Sequence, residues 1–227
     1  MSGAKMHRRG AGAAVTLGAA ALLGCFVSAR TASAAVFTLD DVTLPGDPIQ
    51  IVDGVDDTTP TVPSTPATEG VANAIDNTVN KYLNFNDYGS GFVVTPSRGS
   101  SIVRAIRLYT ANDAPERDPA SVILEGATSP NGPFTVIYGS NVNLPGSRNT
   151  NPAGTPVDPN TMNFTDVAFN NTTPYTTYRV TFPTVRDGVT ANSMQIGEVE
   201  LLGTVVPEPA TLGLISIGAL GLLRRRR

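Results

Sequence analysis

The chain has 227 residues, 16 of them basic and 19 acidic, with a single histidine, a single cysteine and no tryptophan. His7 and Cys25 both lie near the start, so the rest of the chain has neither His-based acid–base chemistry, nor a Cys-His dyad, nor a disulfide. Between Ala35 and Val206 eight basic residues stand against eighteen acidic ones, a net charge of −10 that argues against a nucleic-acid partner and favours cations or plain solubility.

Residues 1–34 have the three parts of a signal peptide. Lys5, His7, Arg8 and Arg9 make a basic start, residues 11–27 are mostly Ala, Gly, Leu and Val, and Ala32-Ser33-Ala34 supplies the small residues at Ala32 and Ala34 that signal peptidase requires. The apolar run falls short of the roughly 20 residues that cross a bilayer, so removal is expected rather than retention. Leu22-Leu23-Gly24-Cys25 resembles the lipobox of bacterial lipoproteins, which makes Cys25 a lipidation candidate; as a plain side chain it is one more apolar residue in an apolar run.

Beyond the leader, residues 36–44 read as a strand stopped by Pro45-Gly46. Asp53, Asp56, Asp57 and the Thr/Pro stretch 58–68 read as a long loop or extended segment, and the spacing of the acids does not match an EF-hand loop. From residue 80 onward come short runs rich in Val, Ile, Thr, Tyr and Phe, at 82–85, 92–95, 102–109, 120–125, 134–138, 162–169, 175–182 and 194–202, each bounded by Gly, Pro, Asn or Asp. No stretch of the mature chain holds a 3.6-residue period. Strands with turn signals between them predict an all-β antiparallel sandwich or barrel, built as one domain over residues 35–203. Ser129-Pro130-Asn131-Gly132-Pro133 predicts a hairpin between its flanking runs, and 141–160 a long surface loop of the sort on which binding is built. Glu198 and Glu200 are two apart on one strand and share a side; Glu200 is expected to be a solvated charge.

No glycine-rich phosphate loop is present, and no pair of carboxylates is placed across a cleft by spacing alone, so an enzyme is not expected. Sugar platforms rely on exposed rings; with no tryptophan, the free candidates are Tyr82 and Tyr88.

Residues 204–227 form a separate unit. Val206-Pro207-Glu208-Pro209-Ala210 leads into an apolar stretch, 211–223, closed by Arg224, Arg225, Arg226 and Arg227. A helix of about 14 residues reaches only about 21 Å, short for a span, while arginines hold such an end at an anionic cytoplasmic surface. Motif, apolar stretch and arginines together resemble the PEP-CTERM sorting signal of Gram-negative bacteria. The resemblance implies recognition at Pro207, Glu208 and Pro209 by an exosortase-type membrane protease, orientation by the four arginines, transient or retained inner-membrane association, and delivery to the cell surface or extracellular matrix.

The globular part resembles the discoidin or coagulation-factor 5/8 type C superfamily of galactose-binding-like jelly rolls. The resemblance rests on residues 73–82 (Asn73-Ala74-Ile75-Asp76-Asn77 onward), on Ile106-Arg107-Leu108-Tyr109 with Asn112-Asp113 and the Asp118-Pro119 turn, and on Gln195-Ile196-Gly197-Glu198-Val199 in the closing strand. It implies a jelly-roll β-sandwich flanked by the signal peptide and a short C-terminal apolar helix. In the members that bind calcium it also implies a structural ion, with carbonyls from Asn73, Thr78 and Gly197, carboxylates from Asp76 and Glu198, and Lys81 standing where a threonine usually contributes oxygen; the alternative for Asp76 is an Asx-type turn that closes the loop with no metal. That lysine is expected either to repel the ion or to replace it by pairing with Asp76. The expected role is an exported, non-catalytic surface or matrix protein; the alternative is a carbohydrate-binding or adhesion module contacting extracellular polysaccharide.

Overall fold

The computed structural model describes residues 39–54 and 64–207. Eleven strands occur among them: β1 (Asp40–Asp41), β2 (Ile49–Val52), β3 (Tyr82–Asn84), β4 (Ser90–Val94), β5 (Ser101–Tyr109), β6 (Ser121–Ala127), β7 (Thr135–Asn141), β8 (Phe164–Ala168), β9 (Thr177–Phe182), β10 (Met194–Ile196) and β11 (Glu198–Val205). They form a five-stranded sheet in the order β2-β4-β9-β6-β7, a four-stranded sheet in the order β1-β11-β5-β8, and a two-stranded ribbon of β10 with β3. Every pairing is antiparallel.

Alternation sets which side chains meet in the middle. Val122 and Leu124 of β6, Phe92 and Val94 of β4 and Tyr178, Val180 and Phe182 of β9 join Ile106 and Leu108 of β5 and Val199 and Leu201 of β11 in one buried cluster. Each such side chain contributes about 1.5–3 kcal/mol of apolar burial. Aromatic pairs close the flanks, with Tyr138 stacked on Phe169 at 5.0 Å and Tyr175 edge-on to Tyr178 at 6.3 Å. The predicted hairpin is β6–β7, whose turn falls between Ala127 and Thr135.

The expected jelly-roll sandwich ending in a short apolar helix needs correction. The strands form a multi-sheet sandwich of three sheets, none closed into a barrel. The run 194–202 is not one strand, because Gly197 interrupts it: β10 turns aside to pair with β3 while β11 pairs with β5. The break needs glycine, since a Cβ at Gly197 would stand 2.6 Å from the Thr110 carbonyl oxygen.

At the C-terminal end, β11 continues to Val205, and the Val206 N–H still donates to the Ser100 carbonyl at 2.8 Å, so the described chain closes in sheet rather than in helix. Helical structure among the described residues is confined to two 3-10 turns, Val71–Ile75 and Pro115–Arg117, and none of it is long and apolar enough to cross a membrane. The expectations for the leader (Cys25, Ala32, Ala34) and for Glu208, Pro209 and Arg224, Arg225, Arg226 and Arg227 fall outside the described residues.

Candidate functional site

The loop after the first 3-10 turn is built around Asp76. Its carboxylate accepts from the Thr78 N–H at 2.8 Å, the Thr78 hydroxyl at 2.7 Å and the Asn80 amide at 2.9 Å, an Asx-type turn that bends the chain back. Asn77 follows with φ of +58°, the left-handed region that asparagine tolerates. The Asn73 side chain secures the same loop by donating to the Thr68 and Lys81 carbonyls at 3.0 and 2.9 Å.

Glu198, at the first position of β11, is wholly buried, and neither carboxylate oxygen has a well-formed hydrogen bond. Burial pushes its pKa well above the usual carboxylate range, and the negative charge of Asp76 adds to the rise; the Asn77 N–H faces the group and offsets this only in part. Asp76 and Glu198 therefore lie in one another's field. An oxygen-preferring cation here would have to draw on these two carboxylates, of which Asp76 already accepts three bonds. Among the described residues no three or more His, Cys, Asp or Glu side chains gather in metal-binding geometry, so backbone carbonyls of the Asn73, Thr78 and Gly197 kind would have to complete the set.

Lys81 does not behave as expected. It is buried, and its ammonium donates to both oxygens of Asp113 at 2.9 Å, lies 3.5 Å from Glu69 and reaches Gln195 Oε1 at 3.4 Å. It thus turns away from Asp76. Burial draws the Asp113 carboxyl upward, but the Lys81 bond and charge outweigh it and leave the group below its ordinary value. Gln195 completes the cluster by donating to the Asp113 carbonyl at 2.6 Å and the Ala114 carbonyl at 3.0 Å.

Beside this cluster opens a cleft of about 230 Å3, lined by Thr68, Glu69, Val79, Asn80, Lys81, Asn112, Asn151 and Ala153. The Asn80 amide is committed, donating to Asp76 and accepting from the Gly154 N–H, whereas Asn112 and Asn151 are exposed residues of the lining. The lining offers amide donors and acceptors, a hydroxyl and the Glu69 carboxylate around a lysine already neutralised by its neighbours. Such a surface suits a neutral, hydroxyl-rich ligand. Sequence reasoning missed Glu69, Gln195 and Asn151. One signal was available: Lys81 is the only lysine between residues 35 and 206, and a lone lysine in an acidic domain calls for carboxylate partners.

The two tyrosines fare differently. Tyr82 is fully buried, its hydroxyl donating to the Gly91 carbonyl and accepting from the Asn84 amide, both at 3.0 Å, so its ring belongs to the core and is not open to a sugar. Tyr88 is half-buried and donates to the Gly188 carbonyl at 3.3 Å, bracing the loop before β10. Glu200 is not the solvated charge expected: it pairs with Arg107 at 3.2 Å, and the Tyr109 hydroxyl donates to it at 3.5 Å.

The loop 142–163 is pinned beside the cleft by a buried carboxylate. Asp118 accepts two 2.7 Å bonds from Arg148 and lies 3.0 Å from Arg186, tying that loop to the second 3-10 turn and to the segment after β9. The Asn149 amide reinforces the loop by donating to the Thr110 and Asn163 carbonyls.

Past this end of the molecule, β11 runs back to its exit, where Val205 and Val206 lead into the exposed Pro207. Residues 205–227 match the PEP-CTERM protein-sorting motif. The chain carries a PEP-CTERM signal. The motif supports export and membrane-linked sorting toward the cell surface. No curated protein matches the sequence. Among solved structures, the chain is similar to the family 32 carbohydrate-binding module of NanJ from Clostridium perfringens, in complex with galactose, at 10% identity and a TM-score of 0.47, over 69% of this chain and 93% of that one. It is also similar to a fucolectin from striped bass serum, at 14% identity and a TM-score of 0.49, over 76% of this chain and 51% of that one. A third is chitosan-binding module 1 from a Paenibacillus chitosanase/glucanase, at 14% identity and a TM-score of 0.44, over 73% and 99% of the two chains.

Proposed function

We propose that this is an exported, non-catalytic carbohydrate-binding module, delivered to the cell surface or extracellular matrix after an exosortase-type protease acts at its PEP-CTERM signal. The observation that carries the binding reading is the cleft at Asn112 and Asn151, where exposed asparagines flank a neutralised lysine and a carboxylate. Amides and carboxylates make paired bonds to adjacent hydroxyls, which is how a pyranose is held when no ring stacks on it. Without an aromatic platform the affinity is millimolar, about −4 kcal/mol. Calorimetric titration with neutral oligosaccharides tests this: saturable millimolar binding should weaken at least about tenfold in the double variant Asn112→Ala, Asn151→Ala. Absence of saturable binding to any glycan leaves a plain structural matrix protein.

The processing reading has its own test. The intact mass of protein recovered from the surface or medium should lack about 15–20 C-terminal residues, consistent with an apolar stretch too short to anchor well. Recovery of Arg227 in that material sinks it. Calcium at Asp76 and Glu198 is a second part of the proposal, supported by the buried Glu198 carboxylate, which has no well-formed hydrogen bond and lies in the field of Asp76; its role is to tie the early loop to β11.

A further inference from the structure

We infer that the sandwich stands on end while it is attached to the membrane, with the attached end at one pole and the cleft displayed at the other. This rests on the reading above, in which residues beyond Pro207 hold the chain at the membrane before cleavage.

The register of β5 with β11 fixes the two poles. Glu198 pairs with Tyr109 at one end of the ladder and Val205 with Ser101 at the other. The Val206 N–H donates to the Ser100 carbonyl, so Pro207 is the first residue free of the sheet. Other strands agree about this pole: β4 ends and β9 begins here, with Val94 opposite Tyr178, and β6 ends here, with Ala127 opposite Thr177. The chain also enters at this pole, since Asp40 of β1 lies opposite Gly203. Both ends of the described sandwich therefore emerge at this pole.

The cleft lies at the far pole. Asn112 follows the end of β5 by three residues, and Gln195, which meets Lys81, precedes the start of β11 by three. A nine-residue strand with a rise of about 3.3 Å per residue separates the poles by about 26 Å. Four residues, 207–210, can extend at most about 14 Å, too short for the domain to invert and bring the cleft pole to the membrane. The surface of the attached pole gives no reason for tight lipid binding. Arg98 there is engaged with the Asp41 carbonyl at 3.0 Å, and the exposed residues Thr172, Thr173 and Pro174 carry no charge. Orientation thus comes from the short connection alone. The consequence is that the cleft engages polymer before the chain is cut, and an occupied cleft does not obstruct the protease.

Cysteine accessibility in full-length protein tests the arrangement, in a Cys25→Ala background and in cells lacking the processing protease. Val189→Cys, on a side chain 94% exposed in the loop between β9 and β10, reports the cleft pole; Thr173→Cys reports the attached pole. Spheroplasts are treated with a 5-kDa maleimide polymer, and rates are compared with the same variants lacking residues 207–227. Thr173→Cys should react at least about fivefold more slowly in the attached chain than in the truncated one, and Val189→Cys equally fast in both. Equal rates at both positions in a chain that sediments with membranes, or protection at Val189, overturns the orientation and leaves the sorting reading standing. A chain that fails to sediment with membranes removes the attachment reading, and the orientation falls with it.

Discussion

The Lys81 ammonium donates to both carboxylate oxygens of Asp113 at 2.9 Å and makes no bond to Asp76, although Asp76 is only five positions away in sequence. The lysine therefore neutralises the cleft and leaves the Asp76–Glu198 pair without a counter-charge.

Calcium response follows from that separation. Millimolar calcium should raise the melting temperature of the purified protein over that in excess chelator, by mass action worth about 2.7 kcal/mol at 100 times the dissociation constant. Asp76→Ala should remove most of the shift, and Glu200→Ala should preserve it because Glu200 is engaged with Arg107. Lys81→Thr should leave the shift intact. A melting temperature indifferent to calcium in the parent and in Lys81→Thr shows that the pair holds no ion.

Asp41 supplies a pH dependence. Burial pushes its carboxyl up to about 6 despite bonds from the Thr43 backbone and hydroxyl and from the Leu201 N–H. With a folded pKa above the unfolded one, the folded state binds the extra proton, so its contribution is full below about pH 4 and is lost as pH rises toward 6. The loss is about 2 kcal/mol after allowance for partial exposure. Asp41→Asn keeps the acceptor oxygen and cannot ionise. Urea unfolding at pH 4, 5, 6 and 7 should show the variant gaining on the parent across that range and no further above it; a constant difference at all four values contradicts the assignment.

At the cleft pole, Asp118→Ala leaves Arg148 and Arg186 without their buried partner and should cost about 3 kcal/mol. Arg148→Ala should cost more than Arg186→Ala, since Arg148 makes the paired bonds and is the less exposed of the two. Denaturant midpoints compare the three, and proteolysis within loop 142–163 should quicken in Arg148→Ala.

Tyr82→Phe separates core from binding surface. It removes the bonds to the Gly91 carbonyl and from the Asn84 amide and should cost about 1–3 kcal/mol of stability with glycan affinity unchanged. A matching loss of affinity at constant stability would return Tyr82 to the binding surface.

Much of the sandwich was legible in the chain itself. Runs rich in Val, Ile, Thr, Tyr and Phe between Gly, Pro, Asn and Asp signals placed strands close to β3, β4, β5, β6, β7, β8, β9 and β11, because β-branched and aromatic side chains suit a pleated, half-buried surface and a turn must use residues that permit it. β2 was missed: Ile49–Val52 sits between a Pro-Gly turn and an acidic stretch, and four residues are too few for a pattern to rise above its surroundings. The PEP-CTERM signal was likewise readable, being a contiguous motif read by another protein rather than by this chain's own folding.

Only the tertiary structure decided the partners. Residues 76 and 198 were matched by resemblance, but whether Lys81 would face Asp76, Asp113 or Glu69 depends on which loops the β3–β10 ribbon brings beside it. Tyr82 and Glu200 were misjudged for the same reason. Alternation tells which side of a strand a residue takes, and not whether a neighbouring sheet or an arginine covers that side; coverage comes from segments distant in sequence, as Arg107 covers Glu200 and Gly91 receives the Tyr82 hydroxyl.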